Sequence, residues 1–419
     1  MGSVATPHIN RLSSLFIYRS PQGLQDLLDH FQFPAPLLKE LRIVIDDGAF
    51  GSEVTSITFP EDLSPLHRLS LSGVTTLPWK HLSNFTEFQF MHPQREVGSP
   101  FIAQLLDFFE SAPLLRAILL RFSIPNHFSV SPDRVVPLPN LERLNVGELP
   151  GHSTFFNHLS IPTGASLDLR FDLSEYVPRI PVCLDNNFGN LHDITTIDLF
   201  LGTPSWALMQ LSGPSGELRI SGRQARTISP IIQSLCKFDL SKTQMLSVMG
   251  SNYIQDDRVQ ESSIFQYLPL MEDLRTLTLM RVDHRPFIRA LNPKENDSRT
   301  VLYSQLEELV LYFRSWDQAY IKELVEMVSE RAKRRSKLSS ITIFSLDVYC
   351  PREVSLLKKY VSHVEYKLES SPSCWDIVTG GSGSCGFNSG WHVFPFDRGY
   401  GGDDDDDIDD GSWREGSEW

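Results

Sequence analysis

Cysteine is scarce in this chain. Its 419 residues include five, Cys183, Cys236, Cys350, Cys374 and Cys385, an odd number without a Cys-x-x-Cys pair. A disulfide framework and a structural zinc site are disfavoured, and a reducing compartment, cytoplasm or nucleus, is expected. Long apolar runs are missing too: nothing approaches the roughly eighteen residues of a membrane span, and no charged start with an apolar stretch opens the chain. Neither membrane nor secretory leader is expected. The 12 histidines are spread without metal-ligand spacing, and no Ser, His and acid grouping or paired carboxylate stands out. His30 and His81 read as helix-flank or capping residues. No enzyme, cofactor or metal is expected.

The formal charge of −14 is uneven. Residues 369–419 hold 12 acids against 2 arginines, leaving 40 acids against 36 bases in residues 1–368. The body is near neutral, so nucleic acid is not an expected partner. The C-terminal stretch reads as a Gly/Ser-rich, acidic, disordered tail with unusual aromatics, among them Trp375, Trp391, Trp413 and Trp419.

Several motifs fail on context. Gly381-x-Gly383-x-x-Gly386 has dinucleotide-loop spacing, but Phe-Asn-Ser-Gly-Trp391 follows it and cannot open a useful helix. A calcium loop built on Asp403–Asp407 and Gly411 would put Ile408 at a ligand position and Ser417 where a glutamate is needed. The basic run Ser329-Glu-Arg-Ala-Lys-Arg-Arg-Ser-Lys337 follows the helical spacing of Ile321, Leu324, Val325 and Val328, so it belongs to a last helical turn rather than to an import signal. Met1-Gly2-x-x-x-Thr6 fits an acylation pattern by chance.

What the chain does have is a repeated unit. Residues 20–43 and 99–120 both open with Ser-Pro, carry Leu-Leu-Asp-x-Phe, and close on Ala-Pro-Leu-Leu. Ser20 and Ser99 are helix caps, with Pro21 and Pro100 in the first turn. Leu24, Leu27, Leu28 and Phe31, like Ile102, Leu105, Leu106 and Phe109, line one helical face. Pro34, Pro36 and Pro113 stop the helices, and a strand follows.

The strand half, apolar-x-x-apolar-x-apolar, recurs along the chain. It is found at Leu12-Leu15-Ile17, Leu38-Leu41-Ile43, Leu66-Leu69-Leu71, Phe85-Phe88-Phe90, Leu115-Ile118-Leu120 and Leu141-Leu144-Val146. It continues at Ile194-Ile197-Leu199, Leu235-Phe238-Leu240, Leu274-Leu277-Leu279, Leu306-Leu309-Leu311 and Leu338-Ile341-Ile343. Weaker versions stand at Leu167-Leu169-Phe171, Leu218-Ile220 and Val361-Val364-Tyr366. The first anchors up to residue 141 are 26, 28, 19, 30 and 26 residues apart. This predicts an α/β fold, an irregular leucine-rich-repeat solenoid over 8–368, with a short extension at 1–7 and the tail at 369–419.

Three phrases carry a family resemblance: Leu69-Ser-Leu-Ser-Gly-Val-Thr-Thr-Leu-Pro-Trp79-Lys-His-Leu-Ser-Asn-Phe-Thr-Glu-Phe88, the two Leu-Leu-Asp-x-Phe units, and Leu211-Ser-Gly-Pro-Ser-Gly-Glu-Leu-Arg-Ile220. They resemble a family of mushroom-type fungal F-box proteins with irregular leucine-rich repeats. The resemblance implies a substrate-recognition role in a cullin ubiquitin ligase. Family members carry an N-terminal F-box that docks a Skp-type adaptor. About ten residues precede the first strand here, too few for three helices, and no Leu-Pro-x-Glu opening is visible. Either a truncated product or a repeat-only relative fits.

In such a solenoid the residues between strand anchors line the concave side. One expected row is Phe16, Arg42, Ser70, Gln89, Asn145, Asp198, Asp239, Thr278, Val310 and Thr342. The second is Tyr18, Val44, Ser72, Met91, Arg121, Phe200, Met280, Tyr312 and Phe344, richer in aromatics and Met. Arg42, Arg121, Asp198, Asp239, Met280, Tyr312 and Phe344 are the expected contacts for a protein partner of a monomer, with coverage of the last three by helices or loops as the alternative.

Overall fold

The computed structural model describes residues 11–19, 36–45, 65–74, 84–96, 99–123, 129–149, 155–172, 193–201, 206–223, 229–250, 267–293, 303–313, 318–345 and 351–368, with 24, 77, 191 and 264. The chain divides into two units, Met1–Leu368 and Glu369–Trp419. All that follows concerns the first. The expectations on residues 1–7, on the glycine motif, on the acidic run and on the tail tryptophans lie outside the described residues.

The strands run β1 (Ser14–Arg19), β2 (Glu40–Ile45), β3 (Arg68–Ser72), β4 (Glu87–Glu96), β5 (Ala117–Ser123), β6 (Val136–Pro137), β7 (Arg143–Leu149), β8 (Leu159–Ser160) and β9 (Ser166–Asp172). They continue with β10 (Thr196–Leu201), β11 (Trp206–Gly213), β12 (Gly216–Arg223), β13 (Met245–Gly250), β14 (Thr276–Met280), β15 (Glu308–Phe313), β16 (Ser340–Ser345) and β17 (His363–Leu368). Fifteen of them form one sheet, and β6 and β8 pair separately. The fold is α/β, dominated by a large and mostly parallel sheet.

Most of the parallel strands enter the sheet in the same way. The carbonyl of Lys39 accepts the amides of His67 and Arg68 at 2.8 and 2.9 Å, that of His67 accepts Thr86 and Glu87, and that of Thr86 accepts Arg116 and Ala117. The step recurs at Arg116, Thr195, Gln244, Arg275 and Glu307. It locks neighbouring strands in one register, so anchors stack on anchors: Leu41 on Leu69, Leu69 on Phe88, Phe88 on Ile118, Ile118 on Leu144. These side chains are buried on one face, as period-two alternation requires.

The middle of the sheet breaks the order. β9 pairs with β12, not with β10, and the chain returns through the antiparallel pairs β10–β11 and β11–β12 before β13 resumes parallel pairing with β10. The phrase at 211–220 is the turn of that hairpin. Gly216 has φ 142°, and a Cβ on Gly213 would sit 2.0 Å from the Asp193 carbonyl, so only glycine fits this approach. The reversed strand keeps the core continuous because Leu211 lies between Ile197 and Leu218, and Met209 between Leu199 and Ile220.

One expected strand is corrected. Leu235-Phe238-Leu240 is not a strand: Ser234–Lys237 is a 3-10 turn, and β13 begins at Met245. The spacing of three and then two also fits a short helix and its exit, and Ser229-Pro230 upstream opens one. Thr243 takes the anchor place, fully buried, with its Oγ1 3.5 Å from the Ile194 carbonyl. A hydroxyl satisfied by a carbonyl is tolerated there, and no apolar pattern detects it.

Helices α1 (Ser99–Ser111), α2 (Ser229–Gln233), α3 (Arg285–Leu291), α4 (Gln318–Lys333) and α5 (Pro351–Leu357) connect strands. The second copy of the repeated unit is α1 followed by β5; the first copy's helix lies outside the described residues except Leu24, helical and buried. α1 seats Phe108 against Phe88 and Phe85, with centroids 4.5 and 5.5 Å apart, and Phe101 against Phe90 at 4.7 Å. α4 ends in the expected basic turn, but its Arg331 is fully buried.

Candidate partner-binding face

The register defines the face turned away from the core residue by residue. Its first row reads Phe16, Arg42, Ser70, Gln89, Leu119, Asn145, Asp168, Arg219, Gln210, Asp198, Ser247, Thr278, Val310, Thr342 and Glu365. The second begins Tyr18, Val44, Ser72, Met91, Arg121 and Gly147. Beyond the β7 irregularity it continues through Arg170, Ser221, Leu208, Phe200, Met249, Met280, Tyr312, Phe344 and Lys367. Neighbours within a row are about 4.8 Å apart, the spacing of paired strands.

Three zones follow. At the β1 edge, Phe16 and Tyr18 are 54% and 47% exposed, and the Arg42 guanidinium lies 5.0 Å above the Phe16 ring. Burial lowers the Arg42 pKa, against an upward pull from Glu40. Arg121 follows Met91 in the second row and is partly buried. Its Cγ would stand 3.5 Å from a Cβ on Gly147, an ordinary van der Waals distance.

The central zone is ionic. Asn145 Nδ2 donates to Asp168 Oδ2 at 2.9 Å, and Arg170 Nη2 reaches the same oxygen at 3.2 Å. Gln210 Nε2 donates to Glu217 Oε1 at 2.7 Å. Burial raises the Glu217 pKa, Arg219 opposes this, and Asp168 and Asp198 add to it. Asp198 is raised by burial, against a hydrogen bond from Ser247. Among the described residues no group of three or more His, Cys, Asp or Glu could hold a metal ion.

The third zone is an apolar ladder of Leu208, Phe200, Met249, Met280, Tyr312 and Phe344 on six adjacent strands. In-register parallel pairing stacks Tyr312 on Phe344, with centroids 4.2 Å and planes 1° apart, and Lys367 Nζ lies 5.3 Å from the Phe344 centroid.

The expected contacts therefore separate. Arg42, Arg121 and Asp198 stand on the face. Met280 and Tyr312 occupy their expected positions but are 1% and 7% exposed, so they are not available surface; Phe344 is half-buried. Asp239 is corrected: it lies outside the sheet, exposed, in the turn after the 3-10 segment, where it accepts the Ser241 amide at 3.0 Å. Hydrogen bonds from Ser241 lower its pKa. Ser247 holds the place assigned to it. Asp168, Arg170, Glu217 and Arg219 lie on β9 and β12, whose weaker anchor patterns do not carry them into either expected row, and Gln210 lies on β11, which runs backwards, although the alternation Ala207, Met209, Leu211 before Gly-Pro-Ser-Gly is a readable signal for it.

No protein-family model matches the chain, and no curated protein matches it.

Proposed function

We propose that residues 8–368 form an irregular leucine-rich-repeat solenoid acting as a non-enzymatic protein-interaction module, of the substrate-recognition kind used by F-box ubiquitin-ligase receptors. The observation that carries this reading is the register-locked face, which presents Phe16, Tyr18 and Arg42 exposed or half-buried at one edge of the sheet and an ionic band across its middle. Tyr and Arg are enriched at interface hot spots. The recurring carbonyl step between successive strands supports the repeat, and the β10–β12 reversal is its irregularity. No helix among the described residues is long and apolar enough to cross a membrane; the module works as a monomer in cytoplasm or nucleus.

The test is affinity purification of the tagged full chain from fungal cells, read by mass spectrometry beside the variant carrying Phe16→Ala, Tyr18→Ala and Arg42→Ala. Recovery of a Skp-type adaptor and cullin supports the ligase link, and loss of co-purified proteins in the variant supports the face. If adaptor and cullin are absent while face-dependent proteins persist, the chain is a scaffold without that link. If nothing depends on the face, the reading fails.

A further inference from the structure

Exposed bases at the strand entries are handled differently at the two ends of the sheet. At earlier entries they meet acids across the rungs: Arg68 pairs with Glu87 at 3.2 Å, Arg116 with Glu142 at 3.5 Å, and Lys242 with Asp193. The last two entries break this habit. Arg335 and Lys337 lie in the turn before β16, and Lys358 and Lys359 in the turn before β17; all four are exposed, and none has an ion pair among the described residues. Ser340 stands in register with His363, and the Ser339 carbonyl accepts the His363 amide at 3.0 Å. The buried anchors Leu338 and Val361 are therefore neighbours, and the two turns open side by side at one end of the sheet, on strands about 4.8 Å apart. The first turn is also held from inside. Arg331 Nη2 donates to the Ser336 hydroxyl at 2.8 Å and the Ser336 amide to the Arg331 carbonyl at 3.0 Å, with Arg335 at φ 60°.

Four like charges crowded on a fixed backbone repel one another, and an acidic ligand relieves that repulsion without reordering the turn. Nucleic acid fits poorly. Its binders spread about 6–10 phosphate contacts along a stripe, whereas Glu307 stands exposed at the next strand entry and Glu365 on the adjoining face. We propose that this corner docks a short acidic segment of a protein partner, whose Asp or Glu side chains pair with Arg335, Lys337, Lys358 and Lys359. Alternate side chains of an extended segment lie about 6.7 Å apart, so long basic side chains on neighbouring turns reach successive carboxylates. The corner is separate from the surface carrying Phe16, Tyr18 and Arg42, and the two readings stand or fall independently.

The test is fluorescence anisotropy of a labelled peptide of alternating glutamate and serine, titrated with the full chain. Binding should weaken as salt rises and fall at least about tenfold in the variant carrying Lys358→Glu and Lys359→Glu. Arg335→Glu with Lys337→Glu is the second variant should the first lower the thermal midpoint. Arg68→Glu with Arg116→Glu changes the net charge equally and should leave affinity within about twofold, as should Phe16→Ala, Tyr18→Ala and Arg42→Ala. Equal loss in the Arg68 and Arg116 variant would mean that net charge alone attracts the peptide, and would overturn the proposal. Tighter binding of oligothymidylate or of phosphatidylserine vesicles through the same four bases makes nucleic acid or membrane the occupant and overturns the protein segment. Binding that emerges only after Asp403–Asp407, Asp409 and Asp410 are changed to Asn makes the chain's own acidic run the competitor and overturns the partner. No binding in either form overturns the docking corner itself.

Discussion

The region around α1 and the region around α4 repeat one plan, a parallel strand with a helix packed behind it, yet fill it with opposite chemistry. Behind β4 and β5 the interior is phenylalanine: Phe85, Phe88, Phe90, Phe101, Phe108, Phe109 and Phe122 are buried. Edge-to-face and tilted pairs add about 0.5–1.5 kcal/mol each beyond their area. Behind β14 and β15 the interior holds polar groups. Arg331 donates to the Tyr303 carbonyl at 2.6 Å, the Ser336 hydroxyl at 2.8 Å and the Leu291 carbonyl at 3.5 Å. It thereby ties the end of α3 and the strained turn at Tyr303, φ 60°, to α4. Burial pushes its pKa down to about 10. His284 sits beside Tyr320, with ring centroids 5.6 Å apart, its Nε2 3.2 Å from the Leu279 carbonyl. The first region is stabilised by shape and area, the second by the hydrogen bonds of Arg331 and His284, even though Arg331 Nε and Tyr320 Oη are buried without a hydrogen-bond partner among the described residues, and they should fail under different stresses.

The largest expected effect is Phe88→Ala, which removes a fully buried ring in contact with several others. A loss of about 3–5 kcal/mol is expected in chemical denaturation. Hydrogen exchange should rise in β3–β5 and stay unchanged in β14–β16; equal rise in both would show that the regions unfold as one unit. Next is Arg331→Met, which matches the aliphatic stem but leaves buried carbonyls without their donor, at a cost of about 3 kcal/mol. An unchanged midpoint would show that the staple contributes nothing net.

Acid should separate the regions without mutation. Burial pushes the His284 pKa down to about 4, against hydrogen bonds to backbone carbonyls, from about 6.5 in the unfolded chain. The neutral ring is favoured in the folded state, so its contribution is complete above about pH 6.5 and lost as pH falls toward 4, up to about 3 kcal/mol. Denaturation midpoints recorded from pH 7 to 4 should decline less steeply in His284→Phe than in the parent; parallel declines would refute the assignment. The smallest effect is Arg134→Ala, which removes ion pairs of 2.6 and 2.9 Å to Asp107 and Glu110 on α1. Those carboxylates are more than half exposed, so about 1 kcal/mol or less is expected, falling further in high salt. A cost equal to that of Arg331→Met would erase the distinction between exposed and buried arginine.

Much of this was legible in the residue pattern. The anchors from Leu38 to Val146 and from Leu274 to Ile343 fall into the sheet in the read register, because period two leaves little freedom once one face is apolar. The two rows on the other face follow from the same alternation, which is why Arg42, Arg121 and Asp198 were placed. Leu235, Phe238 and Leu240 misled, since their spacing is shared by a strand and a short helix, while Thr243 carried no apolar signal at all.

By itself, the sequence determined which side of each regular strand faces the core, where α1 begins and that α4 ends in a basic turn, and that helices alternate with strands; these are local consequences of side-chain periodicity, caps and proline. Only the tertiary structure decided that β10, β11 and β12 fill the sheet in reverse order, that Asp168 and Glu217 stand on neighbouring strands, that Arg331 and His284 are interior, and that Met280 and Tyr312 are covered. Strand order and burial depend on which segments meet across tens of residues, and residue spacing along one segment does not encode its neighbour.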